Sequence, residues 1–397
     1  MSHAAAERPA ISRALGVPET NSSGFTAACH TNASAAEAAW HALEAHGRLT
    51  AYQRYSWCAA WYANVSPAIA ETPAIIVVSD RLGRPAALLP LGVQTQFGLR
   101  IARFCGGKHA NLAMGLYDPN AKLTARQLRR LLKTVARTAG IDLFEFLNQP
   151  VSYDGFDNPL AAGGAESPGH VHKLKLSRTG EDLLKARVSR EARSKLKRKE
   201  RRLAEFGIVD YRQARDNAEA ARLADAFISQ KSAWFKLQGI ANPFSAPEMR
   251  GFLLAAAKPA GPGANPAITM FGAFAGERIV AAYGAALTAD RFSGMFSSFD
   301  GDPVFSKYSP GDLLLYQLIG MMADSGRRTF DLGIGDARYK SHYCDGADRL
   351  ADSTLPITMK GRVASLAMVS ARRAKAVIKQ SPKVFALLTG LRKRLAG

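Results

Sequence analysis

The stretch from 308 to 340 constrains this chain more than any other. It reads Tyr308-Ser-Pro-Gly-Asp-Leu-Leu-Leu-Tyr316, then after one helix Phe330-Asp-Leu-Gly-Ile-Gly-Asp336, then Tyr339-Lys340. The Ser-Pro-Gly run predicts a helix start, with a helix over 310–325 and a strand over 329–334. A loop feeding a helix N-terminus presents backbone N–H groups that lack intrahelical partners, so Ser306 to Asp312 is expected to hold an anion. A strand end carrying Asp, Tyr and Lys beside that place points to chemistry on a phosphate-bearing ligand.

The rest of the chain divides around this segment. Residues 1–35 are expected to form a disordered tail, and residues 1–24 lack the continuous apolar stretch that a secretory signal needs. Residues 36–65 read as helical, with Trp40, Leu43, Trp57 and Trp61 as buried anchors. Strands at 74–79 and 85–93 flank the turn Asp80 to Arg84 and predict a hairpin. A helix over 122–138, a strand over 141–147 and a Pro/Gly-rich loop over 149–169 close a first domain, 36–180. A basic linker helix is expected over 181–207, with Val188, Ala192, Leu196, Leu203 and Phe206 on one stripe and Gly207 at its end. A second domain, 208–362, repeats the pattern of helix, hairpin, helix and strand. Its strands are expected at 208–213, 267–274, 279–287 and 291–299, its helices at 216–237 and 246–257. Basic amphipathic helices broken near Pro382 are expected over 363–397.

Charge is concentrated. The formal net charge is +20. Residues 185–202 carry ten cations against Glu191 and Glu200, and residues from 360 to the end carry ten cations and no acid. The remainder is nearly neutral, so each basic segment needs its own explanation. Four scattered cysteines, Cys29, Cys58, Cys105 and Cys344, give no metal or disulfide framework, and a reducing cytoplasm fits them, with peripheral attachment to the inner membrane as an addition. No uncharged apolar run is long enough to span a bilayer.

The second half resembles the GNAT acyltransferase superfamily. It is similar to the CelD-type branch, associated with cellulose and exopolysaccharide biosynthesis and related in fold to Fem-type peptidyltransferases. The resemblance rests on Gly272-Ala-Phe-Ala-Gly-Glu-Arg-Ile-Val280, Lys307 to Leu315, Gly326 to Asp336 and Tyr339-Lys340. The first half looks like a degenerate partner domain, with Gln53, Trp57 and Leu89-Pro-Leu91. The resemblance implies an α/β fold of tandem GNAT-like domains, each a mostly antiparallel sheet flanked by helices. It also implies acyl transfer from an acyl-CoA, acetyl-CoA first, to an amine such as an amino sugar, an amino-lipid or an exopolysaccharide precursor, with no metal. The donor pyrophosphate would lie on Ser306, Lys307, Ser309, Gly311 and Asp312. The superfamily's spaced glycines are reduced here to Gly311, which leaves room for an aminoacyl-tRNA donor.

Each residue also has a plainer reading. Ser309 and Pro310 serve any helix start, and Asp336 after two glycines suits a turn. As catalytic groups, Asp336 would deprotonate the acceptor amine and Tyr339 or Tyr308 would protonate the leaving thiolate. Lys340 would balance a phosphate or a developing oxyanion. Asp331, inside a strand, reads as structural. Cys344 has only Lys340 and His342 nearby to lower its pKa, so a covalent cysteine intermediate is not expected. The 185–202 cations suit a nucleotide-sugar, an anionic lipid head group or tRNA. They lack interleaved aromatics, so base stacking and DNA are not expected. The terminal helices suit an anionic membrane surface. A non-catalytic scaffold in polysaccharide synthesis is the reading from another class.

Overall fold

The computed structural model describes residues 24–259, 265–335 and 338–380. The strands, in chain order, are β1 Phe25–His30, β2 Thr72–Asp80, β3 Pro85–Gln96, β4 Leu99–Phe104, β5 Leu116–Tyr117, β6 Leu143–Pro150, β7 Ser152–Tyr153, β8 Phe156–Asp157, β9 Ala165–Lys175, β10 Val209–Gln213, β11 Thr269–Ala275, β12 Arg278–Leu287, β13 Arg291–Phe299, β14 Thr329–Ile334 and β15 Gly346–Pro356. The helices are α1 Glu37–His46, α2 Tyr55–Asn64, α3 Ala125–Ala139, α4 Gly180–Arg187, α5 Arg190–Leu203, α6 Asn217–Leu237, α7 Pro247–Ala256, α8 Pro303–Ser306, α9 Pro310–Asp324, α10 Arg338–Tyr343 and α11 Met359–Gln380.

One continuous sheet runs β1-β2-β3-β4-β6-β15-β9-β14-β13-β12-β11-β10, with β5 on the side of β3. In the first half β1 to β4 form an antiparallel meander, and α3 crosses over so that β6 lies parallel to β4. The second half repeats this with β10 to β13, α9 and the parallel strand β14. The two halves then exchange strands. β9, which follows the first half in the chain, pairs with β14, whereas β15, which follows the second half, pairs with β6. β9 and β15 pair with each other and join the halves.

Apolar faces explain the layers. Leu128, Leu131, Leu132 and Val135 of α3 recur at helical spacing and are buried against the first half. Thr124 and Gln127 form a reciprocal capping box at its start, and Gly140 at φ +66° ends it. Trp57 and Trp61 of α2 stack on each other and meet the edge of Phe252 from α7, so one core passes between the halves. A second core, on the other face of the second half, gathers α9 with Leu183, Leu184 and Leu203 of α4 and α5.

Several expectations need correction. Residues 25–30 are not tail but the edge strand β1, paired with β2 through six residues. The 36–65 stretch is two helices with a short 3-10 turn at Ala51–Gln53, because Thr50 caps that turn. The basic linker is two helices, α4 and α5: Val188 is extended, and the Ser189 hydroxyl caps a new helix by accepting from Ala192 N–H. The loop expected over 149–169 contains the β7–β8 hairpin and the start of β9. Pro382 and the rest of 381–397 lie outside the described residues.

Candidate functional site

The site begins where β13 and β14 part. They are parallel-paired only at Arg291–Thr329, Phe292–Phe330 and Ser293–Asp331. Beyond that point the chain needs left-handed backbone at Gly333, at φ +69°, and β13 bulges against β12 so that Met295 has no register partner. A bulge turns one peptide group out of the ladder and bends the strand. The divergence therefore opens toward the C-terminal ends of both strands, and β13 leads through α8 to α9.

The start of α9 differs from the expected cap. Pro310 occupies the first helical position, but Ser309 sits at φ +52°, ψ 55° and its side chain makes no cap hydrogen bond. In the usual extended cap conformation a serine oxygen reaches the second or third N–H of the helix; the left-handed backbone turns it away. Instead Lys199 Nζ of α5 donates to Ser309 Oγ at 2.6 Å. The N–H groups of Asp312 and Leu313 turn back to Ser309 O, at 3.0 and 3.1 Å. Pro310 has no N–H, so Gly311 supplies the free backbone donor of this entrance among the described residues. Space beside Gly311 is open, for an added Cβ would approach nothing nearer than Phe299 at 3.5 Å. Lys307 Nζ stands 5.1 Å from the ring centre of Tyr308. Ser306 O accepts from Ser309 N–H and fixes the turn. Lys199 and one free N–H thus stand at an entrance that also carries the Asp312 carboxylate, with Lys307 lying over Tyr308.

The loop after β14 was expected to supply the reacting groups. Asp336 lies outside the described residues, as does the side chain of Tyr339 on α10. Lys340 is buried and its ammonium donates to Gly333 O at 3.0 Å and Ile334 O at 2.8 Å, closing the end of β14. α10 also delivers Tyr343, which the sequence did not single out. Burial, with the Asp312 carboxylate and Tyr316 beside it, pushes its phenol up to about 12. Burial raises the Cys344 thiol to about 11 even with Lys340 nearby, so at neutral pH it is protonated and a poor nucleophile.

The first half reaches into the same place. Gln53 is buried and donates from Nε2 to Leu112 O at 3.1 Å, which fixes the loop carrying Asn111. Asn111 Nδ2 donates to Tyr52 Oη at 2.7 Å and to Gly294 O at 3.3 Å. The Asn111 amide is so close to Gly333 that a Cβ there would lie 2.6 Å from Nδ2. Below it Asp331, fully buried, accepts from Gly333 N–H at 2.7 Å. Burial outweighs that bond and the attraction of Arg291 and Lys340, and raises the Asp331 carboxyl to about 6. None of Tyr52, Asn111, Arg291 or Lys199 carries a local sequence signal; only the folded contacts bring them to the site.

Among the described residues no group of three or more His, Cys, Asp or Glu gathers to hold a metal. No helix among them is long and apolar enough to cross a membrane.

Comparison with known proteins bears on the fold. Residues 190–341 match the family model described as an acetyltransferase (GNAT) domain, a span that includes α5, the α9 entrance and the loop after β14. No curated protein matches the chain. Among solved structures, FemX superposes with a TM-score of 0.55 at 10% identity, covering 83% of this chain and 97% of its own. The C-terminal domain of a protein described as a lysylphosphatidylglycerol synthetase, from Agrobacterium fabrum, gives 0.51 at 13% identity, covering 86% and 96%. A conserved protein of unknown function from Bacteroides thetaiotaomicron gives 0.50 at 11% identity, covering 82% and 99%. At such identities the likeness is one of fold. The fold is a tandem of GNAT-like halves, and the second half carries a GNAT-type acyltransferase domain.

Proposed function

We propose that the protein is an N-acyltransferase that moves an acyl group from an acyl-CoA, acetyl-CoA first, directly to an amine. The observation that carries this reading is the meeting of Lys199 and the free Gly311 N–H at the start of α9, with Lys307 on the turn before it, beside the divergence of β13 and β14. Cations and a helix-start N–H suit the diphosphate of such a donor, and the divergence gives its thioester a path toward Gly294 and Gly333. Asp336 takes the proton of the acceptor ammonium. The free amine attacks the thioester carbon, the C–N bond forms, the C–S bond breaks, Tyr308 or Tyr339 gives its proton to the thiolate, and the proton that the nitrogen sheds on becoming an amide restores the tyrosine. The high thiol pKa of Cys344 supports direct transfer over a covalent intermediate.

The motifs shared with CelD-type proteins support an amino sugar, an amino-lipid or an exopolysaccharide precursor as acceptor. An anionic membrane surface is a further proposed partner, through α11 and the residues after it. The calorimetric test is titration with acetyl-CoA of the natural chain and of Gly311→Trp. Binding lost in the variant, by roughly tenfold or more (~1.4 kcal/mol), agrees with the proposal. Equal binding in both proteins would remove the donor from the α9 entrance.

One observation favours a second reading, an aminoacyl-tRNA donor. α5 carries eight cations, of which Lys197, Arg198 and Arg201 have no partner among the described residues, and it docks on the donor entrance through Lys199. A polyanion would release counterions along that row, so binding would fall steeply with salt. Charged tRNA binding with no acetyl-CoA binding would select this reading.

A further inference from the structure

A cavity of about 730 Å³ lies between the halves, at the N-terminal ends of β13 and β14 and thus at the other end of the parallel pair from α9. Its volume suits one small molecule. Its walls bring together Arg48 and Arg54 from the first half with Arg291 and Arg328 from the second. Arg328 is spent on Asp290, which it holds through Nε at 3.0 Å and Nη2 at 2.7 Å. Arg291 is 8% exposed and pairs with Asp154 through Nη2, while its Nη1 has no hydrogen-bond partner among the described residues and stands 4.0 Å from Asp331. Arg48 and Arg54 are half-buried, and their guanidinium groups have no partner among the described residues. Glu44, the remaining acid of the wall, is already used by Tyr55 N–H at 2.6 Å and by His41.

Unpaired guanidiniums held around one concavity repel each other, and that cost is relieved when an anion sits among them. A phosphate monoester brings between one and two negative charges at neutral pH and several acceptor oxygens, and guanidiniums match it in bidentate geometry. Ser293, the last parallel-paired residue of β13, lines the cavity and precedes Gly294, where the strands part. A ligand anchored by its phosphate at Arg48 and Arg54 would extend toward that point from the side opposite the donor.

We infer that the interdomain cavity is the acceptor site, and that the acceptor is a small amine bearing a phosphate monoester held by Arg48 and Arg54. The word acceptor rests on the acyl-transfer reading; the anion site stands without it. The test is calorimetric titration of the full chain with inorganic phosphate, with glucosamine 6-phosphate and with glucosamine. Saturable binding of either phosphate compound and none of glucosamine is expected. The Arg48→Ala/Arg54→Ala double variant should weaken it by roughly tenfold or more. Gly311→Trp should leave it unchanged. Neither arginine side chain has a partner among the described residues, so unchanged thermal midpoints are expected and make the comparison fair. No phosphate binding, or binding that survives the double substitution, overturns the inference. So does binding lost in Gly311→Trp, because the anion would then belong to the donor entrance. Acetyl-CoA titrated into the same variants separates the two claims: failure of donor binding with phosphate binding intact counts against the acyl-CoA reading alone.

Discussion

Asp331 shows how far one residue can be argued from its surroundings. A strand acid needs a partner, and the sequence says so; the fold supplies Gly333 N–H and sets Arg291 and Lys340 within reach. These do not offset burial, so the folded carboxyl titrates at about 6 against 3.8 for the ordinary group. The native state therefore holds this proton more tightly than the unfolded chain does. Its contribution to stability is most favourable below the unfolded value and falls as pH rises through the folded one. A shift of this size corresponds to a loss on the order of 3 kcal/mol by neutral pH. Asp331→Asn keeps the acceptor for Gly333 N–H and removes the ionisation. The variant should match the natural protein near pH 4 and exceed its unfolding midpoint near pH 7. Denaturant titrations at the two pH values check this, and a variant less stable near neutrality than the natural chain would contradict it. The Tyr52–Asn111 pair teaches the complementary lesson. Both residues look ordinary in the sequence, and the folded contacts of their loop, among them Gln53 on Leu112 O and Ala113 N–H on Asn148 O, bring Asn111 to Gly294.

At the scale of elements, the segments whose residues alternate or recur at helical spacing were legible: α3, α6, α9, the β2–β3 hairpin and β11 to β14. What escaped were β4, β9 and β15. β9 contains Pro168 and Gly169, and β15 carries Asp348, Arg349 and Asp352, a composition that reads as loop. Both lie at the centre of the sheet, where their charges are matched across strands, Lys173 with Asp348 and Arg349 with Glu166 at 3.4 Å. Pairing across the exchange replaces apolar patterning there, and no local rule detects it. The α9 entrance was legible as a helix start, but the bond from Lys199 to Ser309 was not, because Lys199 is one of many like residues on α5. α11 supports a more definite expectation. Met359, Val363 and Leu366 stand 70%, 68% and 71% exposed at helical spacing, with Arg362 beside them. An apolar stripe flanked by cations suits an anionic bilayer interface. Flotation with phosphatidylglycerol vesicles should recover the natural chain, and Val363→Glu/Leu366→Glu should leave it in the soluble fraction. Equal recovery of both proteins, or none of either, would count against docking through α11.

The molecule as a whole is governed by the strand exchange. Along the main path of the sheet each half builds five strands from its own part of the chain, with β5 added on the side of β3, and takes one more from the other: β15 completes the first, β9 the second. Neither half can open without unpairing a central strand of the other, and the core through Trp57, Trp61 and Phe252 ties them again. Independent domains of this size would melt separately. Here the physics requires a single transition. Scanning calorimetry should show one peak whose calorimetric and van't Hoff enthalpies agree, and tryptophan fluorescence should follow it, since Trp57 and Trp61 belong to the shared core. A chain ended after Cys344 would leave β6 and β9 as bare edges in the middle of the sheet, and should be recovered aggregated instead of as one folded half. Two resolved peaks would mean that the halves fold apart and that the exchange contributes little. The same coupling bears on catalysis. The α9 entrance belongs to the second half and the arginine cavity to both, with Tyr52 and Asn111 between them, so the spacing of the proposed donor and acceptor places would be fixed only when both exchanged strands are in place.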